Sequence, residues 1–309
     1  MLTGFARVLL LSLVCLSSPL NAQTNPLWHE EKIKNYLPHM TWPEVQDLLT
    51  RTDMVIVPIA SIEQHGPQLP IGTDFLAATE RAKLIAQKTD VLVAPVLLPG
   101  LSPYHMELPG TITLSPDTVQ RVYLEAAQSL IRHGFRRFLF LNGHTGNQYI
   151  TRLICDRINQ ETSATALELG DAAAAFLTRN RTTRAPDAGH FDRHAGTGET
   201  SGGLYLFPAL VNMSKAPKGD ITLPEHLRKM MPEVIAGDAT ATQIFMAEAL
   251  KPKETGKHTS TREMTPTGVW SDRDIRESSE QQGREQTEAF VTAAVRFIER
   301  WKTLEPIRR

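Results

Sequence analysis

The sequence predicts an α/β protein in which a mainly parallel sheet lies between two layers of helices, a three-layer α/β/α sandwich. Short apolar runs alternate with amphipathic segments between Met54 and Leu169, and the connections between them are short. Polar motifs follow directly after two of the apolar runs. Repeated strand–helix–strand units with short connections form parallel sheets with helices on both faces.

Four apolar runs are expected to form the strands. The first, Met54 to Ile59, is continuously apolar and rich in β-branched residues, which is typical of a strand that is buried on both faces. The later runs are separated by segments with helical periodicity. They predict strands at Val91 to Leu98, Phe138 to Leu141 and Thr165 to Leu169.

The segments between and after these runs predict helices. One helix has marked ends, since Ser115 before a proline is typical of a helix start and Gly134 of a helix end. The last helix should pack through an apolar face formed by Phe290, Val291, Ala294, Phe297, Ile298 and Trp301. The remaining helices are predicted at Phe75 to Gln87 and Gln148 to Gln160, and the last at Ser279 to Lys302.

We predict a single domain at residues 23–309, preceded by a secretory signal at residues 1–22. Arg7 supplies the positive charge, Val8 to Leu16 the apolar stretch, and Ser17 to Ala22 the small-residue end of such a signal. The apolar stretch is far shorter than the roughly 20 residues that span a bilayer. We therefore expect an exported protein, periplasmic or secreted, with no membrane anchor.

Composition argues against several classes of function. The formal net charge is -1 over 309 residues, which gives no electrostatic argument for binding nucleic acid or an anionic membrane surface. Only Cys155 would remain after removal of the signal, so no internal disulfide is expected. Cys155 lies in an apolar helical pattern, and we predict that it is buried and is neither a nucleophile nor a metal ligand.

Two of the predicted strands end in motifs that contain metal-binding residue types. Glu63 and His65 follow the first strand, and their spacing would project both side chains to one side of an extended segment. His144 follows the strand at Phe138 to Leu141, within the sequence Asn-Gly-His-Thr-Gly-Asn. Ligands of parallel sheets bind beyond the carboxyl ends of the strands, so we expect the two motifs to converge there.

Further candidate ligands come from glycine-rich segments. Asp74 follows a bend at Gly72, and its two carboxylate oxygens could bridge two cations. His194 and Glu199 enclose a run of small residues that lets a ligand approach the backbone, although Glu199 could equally lie near the start of a helix. Each residue alone would more often be a surface or capping group, whereas their grouping favours a hydrolytic metal centre.

The ordered motifs resemble those of the creatininase (creatinine amidohydrolase) family. The likeness extends from about Thr41 to the C-terminal helix. It implies an α/β/α fold, a homo-oligomer that is frequently a hexamer, and a two-metal site that hydrolyses C–N amide bonds. The segments that carry it are Pro58-Ile-Ala-Ser-Ile-Glu-Gln-His-Gly-Pro67, Thr73-Asp74, Pro109-Gly-Thr111, Asn142-Gly-His-Thr-Gly-Asn147 and His194-Ala-Gly-Thr-Gly-Glu-Thr-Ser201.

The resemblance also implies how the metal ions are held. Glu63 and His144 would hold one ion, with Asp74 bridging to the second. His65 and Glu199 would hold that second ion. Zinc suits this mixture of histidine and carboxylate best, and manganese or iron is compatible with it. We therefore expect two divalent ions per subunit.

Catalytic and substrate-binding roles follow from the same resemblance. His194 would transfer a proton to the leaving nitrogen, since an imidazole titrates near neutral pH, and Glu199 would be a second catalytic residue. His105 and Tyr104 would contact the substrate, although a loop histidine with no catalytic part is an equal alternative for His105. The segment from Pro208 to Pro232 is expected to be a long connection or a lid that shapes the pocket.

The chain departs from the family pattern at one position. Creatinine-hydrolysing members carry a carboxylate two residues after the histidine of the Asn-Gly-His motif, where this chain has Gly146. Glycine supplies no metal ligand, which transfers that role to Glu199 and weakens the case for creatinine as the substrate. The glycine form resembles formamide deformylases and peptide-trimming amidohydrolases.

We therefore predict a metal-dependent hydrolase that acts on a small-molecule amide. A cyclic amide, a formamide or a peptide-like amide fits, with a C–N bond other than a peptide bond as the first choice. Water held between two cations would have a pKa of about 7 and would supply hydroxide for the hydrolysis at neutral pH. The alternatives are an exported metal-binding protein of the same fold without turnover, and a carbohydrate hydrolase that uses Glu63 and Asp74, which would leave the histidines unexplained.

Overall fold

The computed structural model describes residue 25 and residues 30–97, 99–177, 189–250 and 260–305. Contacts divide the chain into Met1–Lys32 and Ile33–Arg309, and the fold below belongs to the second unit. The predicted signal at residues 1–22 lies outside the described residues. Within the described ranges, no helix combines the length and apolar character needed to cross a membrane.

A four-stranded parallel sheet forms the centre of the fold. Its strands lie in the spatial order β2-β1-β3-β4. The two central strands pair along their whole length, from Met54 opposite Arg137 to Ile59 opposite Asn142, so their carboxyl ends meet at one edge. The strands are β1 (Met54–Ile59), β2 (Leu92–Val93), β3 (Arg137–Asn142) and β4 (Thr165–Glu168).

Six helices flank the sheet within the described residues, and two of them, Trp42–Leu49 and Leu169–Ala173, were not predicted from the sequence. Ser115 caps one of the predicted helices, since its Oγ accepts a hydrogen bond from Thr118 N at 3.3 Å, and Gly134 ends it with a φ of 118°. These helices are α1 (Trp42–Leu49), α2 (Thr73–Thr89), α3 (Pro116–His133), α4 (Gln148–Glu161), α5 (Leu169–Ala173) and α11 (Glu280–Leu304).

Side chains of β1 alternate between two hydrophobic clusters. Val55, Val57 and Ile59 pack with residues of α1, α3 and α4 on one face. Met54 and Ile56 pack with residues of α2, α5 and α11 on the other. Both faces are covered, which explains the continuously apolar sequence of this strand and confirms the three-layer α/β/α prediction.

The second strand is much shorter than the sequence predicted. The predicted run from Val91 to Leu98 forms a strand only at Leu92–Val93, and Leu98 itself lies outside the described residues. Ala94 still donates to Ile56 O at 2.9 Å, but Pro95 has no N–H with which to extend the pairing on the other edge, where Val93 N donates to Asn35 O at 2.8 Å. The apolar run, which contains a proline, therefore predicted a strand that is longer than the observed one.

Between α5 and α11, the described ranges 189–250 and 260–279 form a smaller packed region rather than an open connection. Leu223 and Leu227, from the segment predicted as a connection or lid, are buried with Phe191, Phe245 and Trp270. Short helices make this packing possible. The elements are β5 (Asp192–His194), α6 (Thr197–Leu206), α7 (Glu225–Arg228), α8 (Met231–Ile235), α9 (Ala239–Ala249), α10 (Thr261–Met264) and β6 (Trp270–Ser271), the last paired with β5.

Candidate metal centre

The motifs of Glu63 and His144 lie side by side because β1 and β3 are neighbours. Gly143 N still donates to Ile59 O at 2.9 Å, so the chain leaves the sheet directly before His144. A Cβ on Gly143 would lie 3.2 Å from the carbonyl oxygen of Asp74. Glycine at this position therefore allows the first turn of α2, which carries Asp74, to pack against the end of β3.

Glu63, Asp74 and His144 form the first group of candidate ligands, and all three are buried. Nδ1 of His144 lies 3.3 Å from Glu63 Oε1 and 3.1 Å from Asp74 Oδ2. The other ring nitrogen, Nε2, donates to Leu101 O at 2.8 Å. A carbonyl partner of this kind fixes the ring and leaves the Nδ1 lone pair directed at the two carboxylates, as in many metal-binding histidines.

His65, Asp74 and Glu199 form the second group. Nε2 of His65 lies 3.2 Å from Asp74 Oδ1 and 3.6 Å from Glu199 Oε2, while Nδ1 donates to Glu63 O at 3.0 Å. The two oxygens of Asp74 therefore face different imidazoles. A carboxylate in this position would be able to contribute one oxygen to each of two ligand groups.

Glu199 reaches the second group from the first turn of α6. Its Oε2 accepts a hydrogen bond from Ala195 N at 2.6 Å. Ala195 has a φ of 53°, in the left-handed region that alanine rarely adopts, so the turn before α6 holds the carboxylate in place at some conformational cost. Glu199 therefore lies at the start of a helix and also close to His65, so the two interpretations of this residue are compatible.

Gln64 orients the two remaining histidines of the site. Its Oε1 accepts from Gly66 N at 3.0 Å, which directs the side-chain nitrogen to His105 Nδ1 at 2.9 Å. An amide nitrogen only donates, so His105 carries its hydrogen on Nε2. His194 Nε2 donates to Gln64 O at 2.7 Å, which leaves its Nδ1 lone pair 3.5 Å from Glu63 Oε1.

The buried acids and imidazoles shift one another's pKa. Burial disfavours the imidazolium of His65, but Asp74 outweighs burial and raises its pKa to about 10. Against the same burial, Glu63 raises the pKa of His144 well above its ordinary value. The pKa of Asp74 is held well below its ordinary value, because His65 and His144 overcome the effect of burial. Positive charge is thus favoured in both ligand groups.

His194, His105 and Glu199 are neutral or titrate near neutrality. Burial lowers the pKa of His194 well below its ordinary value, and neighbouring His105 and His65 lower it further. Burial also lowers the pKa of His105, with His65 and His144 adding to the effect. Burial raises the pKa of Glu199 to about 7. His194 and His105 are therefore uncharged imidazoles at neutral pH.

The donor set fits divalent metal ions. Glu63 Oε2 is buried and has no hydrogen-bond partner among the described residues. One nitrogen or oxygen from each of Glu63, Asp74 and His144 lies within 4.8 Å of the others, and the same holds for His65, His194 and Glu199. Imidazole nitrogens and carboxylate oxygens are the ligands of zinc and manganese.

The predicted substrate-binding residues lie in the same cavity, which has a volume of about 380 Å³. Tyr104 and His105 occupy a short 3-10 turn, Pro103–His105. The Tyr104 hydroxyl is 3.3 Å from His144 Nε2, so it contacts the rear of that imidazole. His105 stacks on His194 with a ring-centre distance of 4.2 Å, which brings its Nε2 to 3.7 Å from Glu63 Oε1.

Several residues of the site were missed by the sequence analysis. Ser61 Oγ donates to Asp74 Oδ2 at 2.8 Å, and Gln64 orients two histidines. Both stand inside the motif after β1, so they could have been identified there. Thr261 Oγ1 contacts His105 Nδ1 and lies 3.2 Å from Tyr104 O, but it comes from a segment without a recognisable pattern.

Comparison with known proteins identifies a matching family and several enzymes that this chain resembles. A family model described as creatininase, creatinine amidohydrolase, matches residues 38–298. A 3-dehydro-scyllo-inosose hydrolase of Thermotoga maritima is 29% identical over 204 residues, and the match covers 63% of this chain and 64% of that protein. A mycofactocin precursor peptide peptidase of Mycolicibacterium smegmatis is 30% identical over 202 residues, with 63% and 74% covered.

Solved structures of creatininases have the same fold. A crystal structure of creatinine amidohydrolase superposes with a TM-score of 0.63 at 19% identity, covering 88% of this chain and 98% of that one. Related structures include a mutant described as Zn-Zn type and a Mn form, with TM-scores of 0.62 and 0.61. Since the family match extends over most of the chain, the protein belongs to the creatininase family.

Proposed function

We propose that this protein is a metal-dependent amidohydrolase that cleaves the C–N bond of a small-molecule amide. The observation that carries the proposal is the placement of Asp74. One carboxylate oxygen lies 3.1 Å from His144 Nδ1 and the other 3.2 Å from His65 Nε2. Each imidazole also faces a second carboxylate, from Glu63 or Glu199. Family membership supports hydrolysis, and this arrangement supports its dependence on metal.

Two divalent ions per subunit fit the two ligand groups. Glu63 and His144 would hold one ion, His65 and Glu199 the other, and Asp74 would bridge them. Zinc is the first choice, with manganese or iron compatible, and the Zn-Zn and Mn forms of solved creatininases support this choice. Such ions polarise a substrate carbonyl and acidify water.

His194 is placed to accept a proton and to pass it on. Its Nε2–H is occupied by Gln64 O, and its Nδ1 lone pair lies beside Glu63 at the cavity. A neutral imidazole in this orientation accepts a proton from the attacking water and then returns it to the leaving nitrogen. The expected proton donation by His194 therefore requires that it first act as a base.

His105 is placed to donate a hydrogen bond to the substrate. Gln64 donates to its Nδ1, so the hydrogen on Nε2 lies at the cavity, close to Glu63. A neutral imidazole N–H adds no charge to the site and can bind the carbonyl oxygen of an amide as negative charge develops on it. This supports a substrate-binding role for His105 over that of a loop histidine without function.

The substrate class is narrowed by the cavity and by Gly146. A volume of about 380 Å³ suits a small molecule or the end of a short peptide. Gly146 stands where creatinine-hydrolysing relatives carry a carboxylate, which argues against creatinine. The peptidase among the relatives extends the candidate set to peptide-like amides. Export and homo-oligomeric assembly, a hexamer by resemblance, remain predictions of the sequence.

Metal content and turnover of three variants test the proposal. Wild-type protein reconstituted with zinc or manganese should bind about two ions per chain, measured by elemental mass spectrometry. His144→Ala and Asp74→Ala should lose ion binding together with hydrolysis of formamides, cyclic amides and short peptides. His190→Ala is the matched control, because this exposed histidine pairs with Asp272 outside the site.

Two outcomes would contradict the proposal in different ways. Full turnover by His144→Ala would remove that residue from the site and with it the assignment of the first ion. Stable binding of two ions without hydrolysis of any amide tested would instead favour the metal-binding protein without turnover.

A further inference from the structure

A second, smaller cavity adjoins the metal centre. It has a volume of about 270 Å³. Arg81, Arg193 and Glu199 line both this cavity and the one that contains the candidate ligands. A substrate bound at the metal centre can therefore extend past Glu199 into the second cavity. The space near Gly198, which also lines it, is open, since a Cβ there would meet no atom within 4 Å.

Arg81 lies between the two helices that carry candidate ligands. It follows Asp74 by seven residues on α2, which places both on one face of that helix. Its Nη2 lies 3.7 Å from the position that a Cβ on Gly202 would take. Gly202 is one turn after Glu199 on α6. The guanidinium therefore lies against the same face of α6 that carries Glu199.

Arg81 has unused hydrogen-bond donors. Its Nε is buried without a partner, and the side chain forms no hydrogen bond or salt bridge with any other described residue. The acids nearby are already engaged. Asp192 accepts hydrogen bonds from Thr197 N and Oγ1 at the start of α6, and Glu199 accepts one from Ala195 N. Glu199 and Asp74 attract the guanidinium electrostatically, but neither accepts a hydrogen bond from it in the part of the chain that the structure describes. A buried Nε–H without an acceptor is costly, which points to a ligand that supplies one.

We propose that the second cavity is a subsite for a carboxylate group of the substrate, bound by the guanidinium of Arg81. A guanidinium offers a planar fork of donors that matches the two oxygens of a carboxylate. Arg193, exposed at the same cavity, adds a second positive charge. The subsite rests on the proposed function and narrows its substrate to amides that carry a carboxylate, such as N-acyl amino acids or short peptides with a free carboxyl end.

The spacing of Arg81 and Asp74 is compatible with such a substrate. Seven residues correspond to about 10 Å along a helix axis, and side chains lean toward the helix N-terminus, which shortens the separation. In an N-acyl amino acid the carboxylate lies a few bonds from the scissile amide. Arg81 would thus hold one end of the substrate while the amide lies at the candidate ligands.

Matched substrates with one charge difference test the subsite. Metal-loaded full-length protein is assayed with N-acetyl amino acids and with their neutral carboxamides. Arg81→Met, which keeps an unbranched apolar side chain but removes the guanidinium, should lower kcat/KM for the acids by about 10- to 100-fold, mainly through KM, because hydrogen bonds to charged groups have that strength. The carboxamides should change by less than about 3-fold. Arg121→Met, on the exposed side of α3, is the control.

Binding measurements separate the subsite from the proposed function. Calorimetric titration of the same acids and carboxamides needs no turnover, and Arg81→Met should weaken binding of the acids alone. If amides are hydrolysed but Arg81→Met leaves the acid-to-carboxamide preference unchanged, the subsite is wrong and the proposed function stands. If no amide is hydrolysed but acid binding still depends on Arg81, the subsite stands and the proposed function fails.

Gly198→Leu provides a second variant that does not remove a partly buried charge. Leucine at this open position of α6 should occupy the cavity, keep the thermal stability of the fold, and reduce acid binding at least about 10-fold. Wild-type affinity for the acids in a folded Gly198→Leu protein would contradict the proposal.

Discussion

Gly146 determines how closely the chain packs behind His144. A Cβ at this position would approach His144 Nε2, Leu101 O and Tyr104 Oη to less than 3.0 Å, closer than real Cβ atoms come to such neighbours. His144 Nε2 and Leu101 O are the hydrogen-bonded pair that fixes the imidazole. Gly146 is therefore part of the support of a candidate ligand.

We predict that Gly146→Ala lowers metal affinity by about 10- to 100-fold, the usual effect of disturbing a partner behind a metal-binding histidine. The methyl group must displace either the Leu101 carbonyl or the ring of His144, and both displacements turn Nδ1 away from Glu63. Competition titration with a chelator measures the change. Gly72→Ala is the matched control, because a Cβ there meets no atom within 4 Å. Equal affinities of the two variants would contradict this account.

At the scale of residues, the sequence predicted the site residues that belong to motifs. It missed the residues that only the packing of helices brings to the site. Glu63, His65 and His144 follow strands of one predicted parallel sheet, whose carboxyl ends lie at one edge, so their approach to one another was predictable. Arg81 stands in an ordinary helical pattern, and only the packing of α2 against α6 shows that its guanidinium lies at the site. No spacing rule connects it to Glu199, which is far away in the sequence.

At the scale of elements, the crossing of α11 over α6 positions Glu199. A Cβ on Gly283 of α11 would collide with the backbone of Ser201 and Gly202 in α6. Ser201 Oγ also accepts from Ser279 N at 3.1 Å, at the start of α11. The helix that closes the core thus holds the helix that carries a candidate ligand, with a glycine at the point of closest approach.

We predict that Gly283→Ala destabilises the protein by about 1–3 kcal/mol, because the added methyl overpacks a contact between two backbones. Helix propensity alone predicts the opposite sign, a gain of up to about 1 kcal/mol for this exchange. Urea unfolding measures the difference. Arg284→Ala, at the exposed next position, should change stability by less than about 0.5 kcal/mol. Stabilisation by Gly283→Ala would show that the two helices can separate without cost.

The elements themselves were predicted best where one signal had a single interpretation. The first strand and the capped ends of α3 match the structure, since apolar continuity and Ser-Pro at a helix start have local causes. The predicted length of the second strand was wrong because a proline limits pairing even within an apolar run. The packed region around Phe191 and Phe245 was not predicted, because short helices span too few turns to give a recognisable periodicity in the sequence.

At the scale of the whole molecule, protons and metal ions compete for the same buried site. In the folded metal-free protein, His65 has a pKa of about 10 and that of His144 is also raised. Their protonated forms contribute stability that is complete below the ordinary histidine pKa and is lost as the pH rises through the folded values. Glu199 loses its contribution at lower pH, as the pH rises from its ordinary pKa to about 7, and there the lowered pKa values of His194 and His105 act in the opposite sense. The metal-free fold should therefore lose stability as the pH rises from about 7 toward about 10.

We predict that the stabilisation by metal grows over that pH range. Divalent ions bind the neutral imidazoles and the ionised carboxylates, so an ion that binds must displace the protons on these groups. This displacement costs less free energy as the pH rises. The rise in Tm on zinc binding should be larger near pH 8 than near pH 6, and calorimetry in buffers of different ionisation enthalpy should show release of about one to two protons as the site fills. His65→Gln should release fewer protons than wild type, whereas His190→Ala should match it. A metal-dependent Tm shift that is independent of pH, with no proton release, would mean that His65 and His144 do not bind the ions.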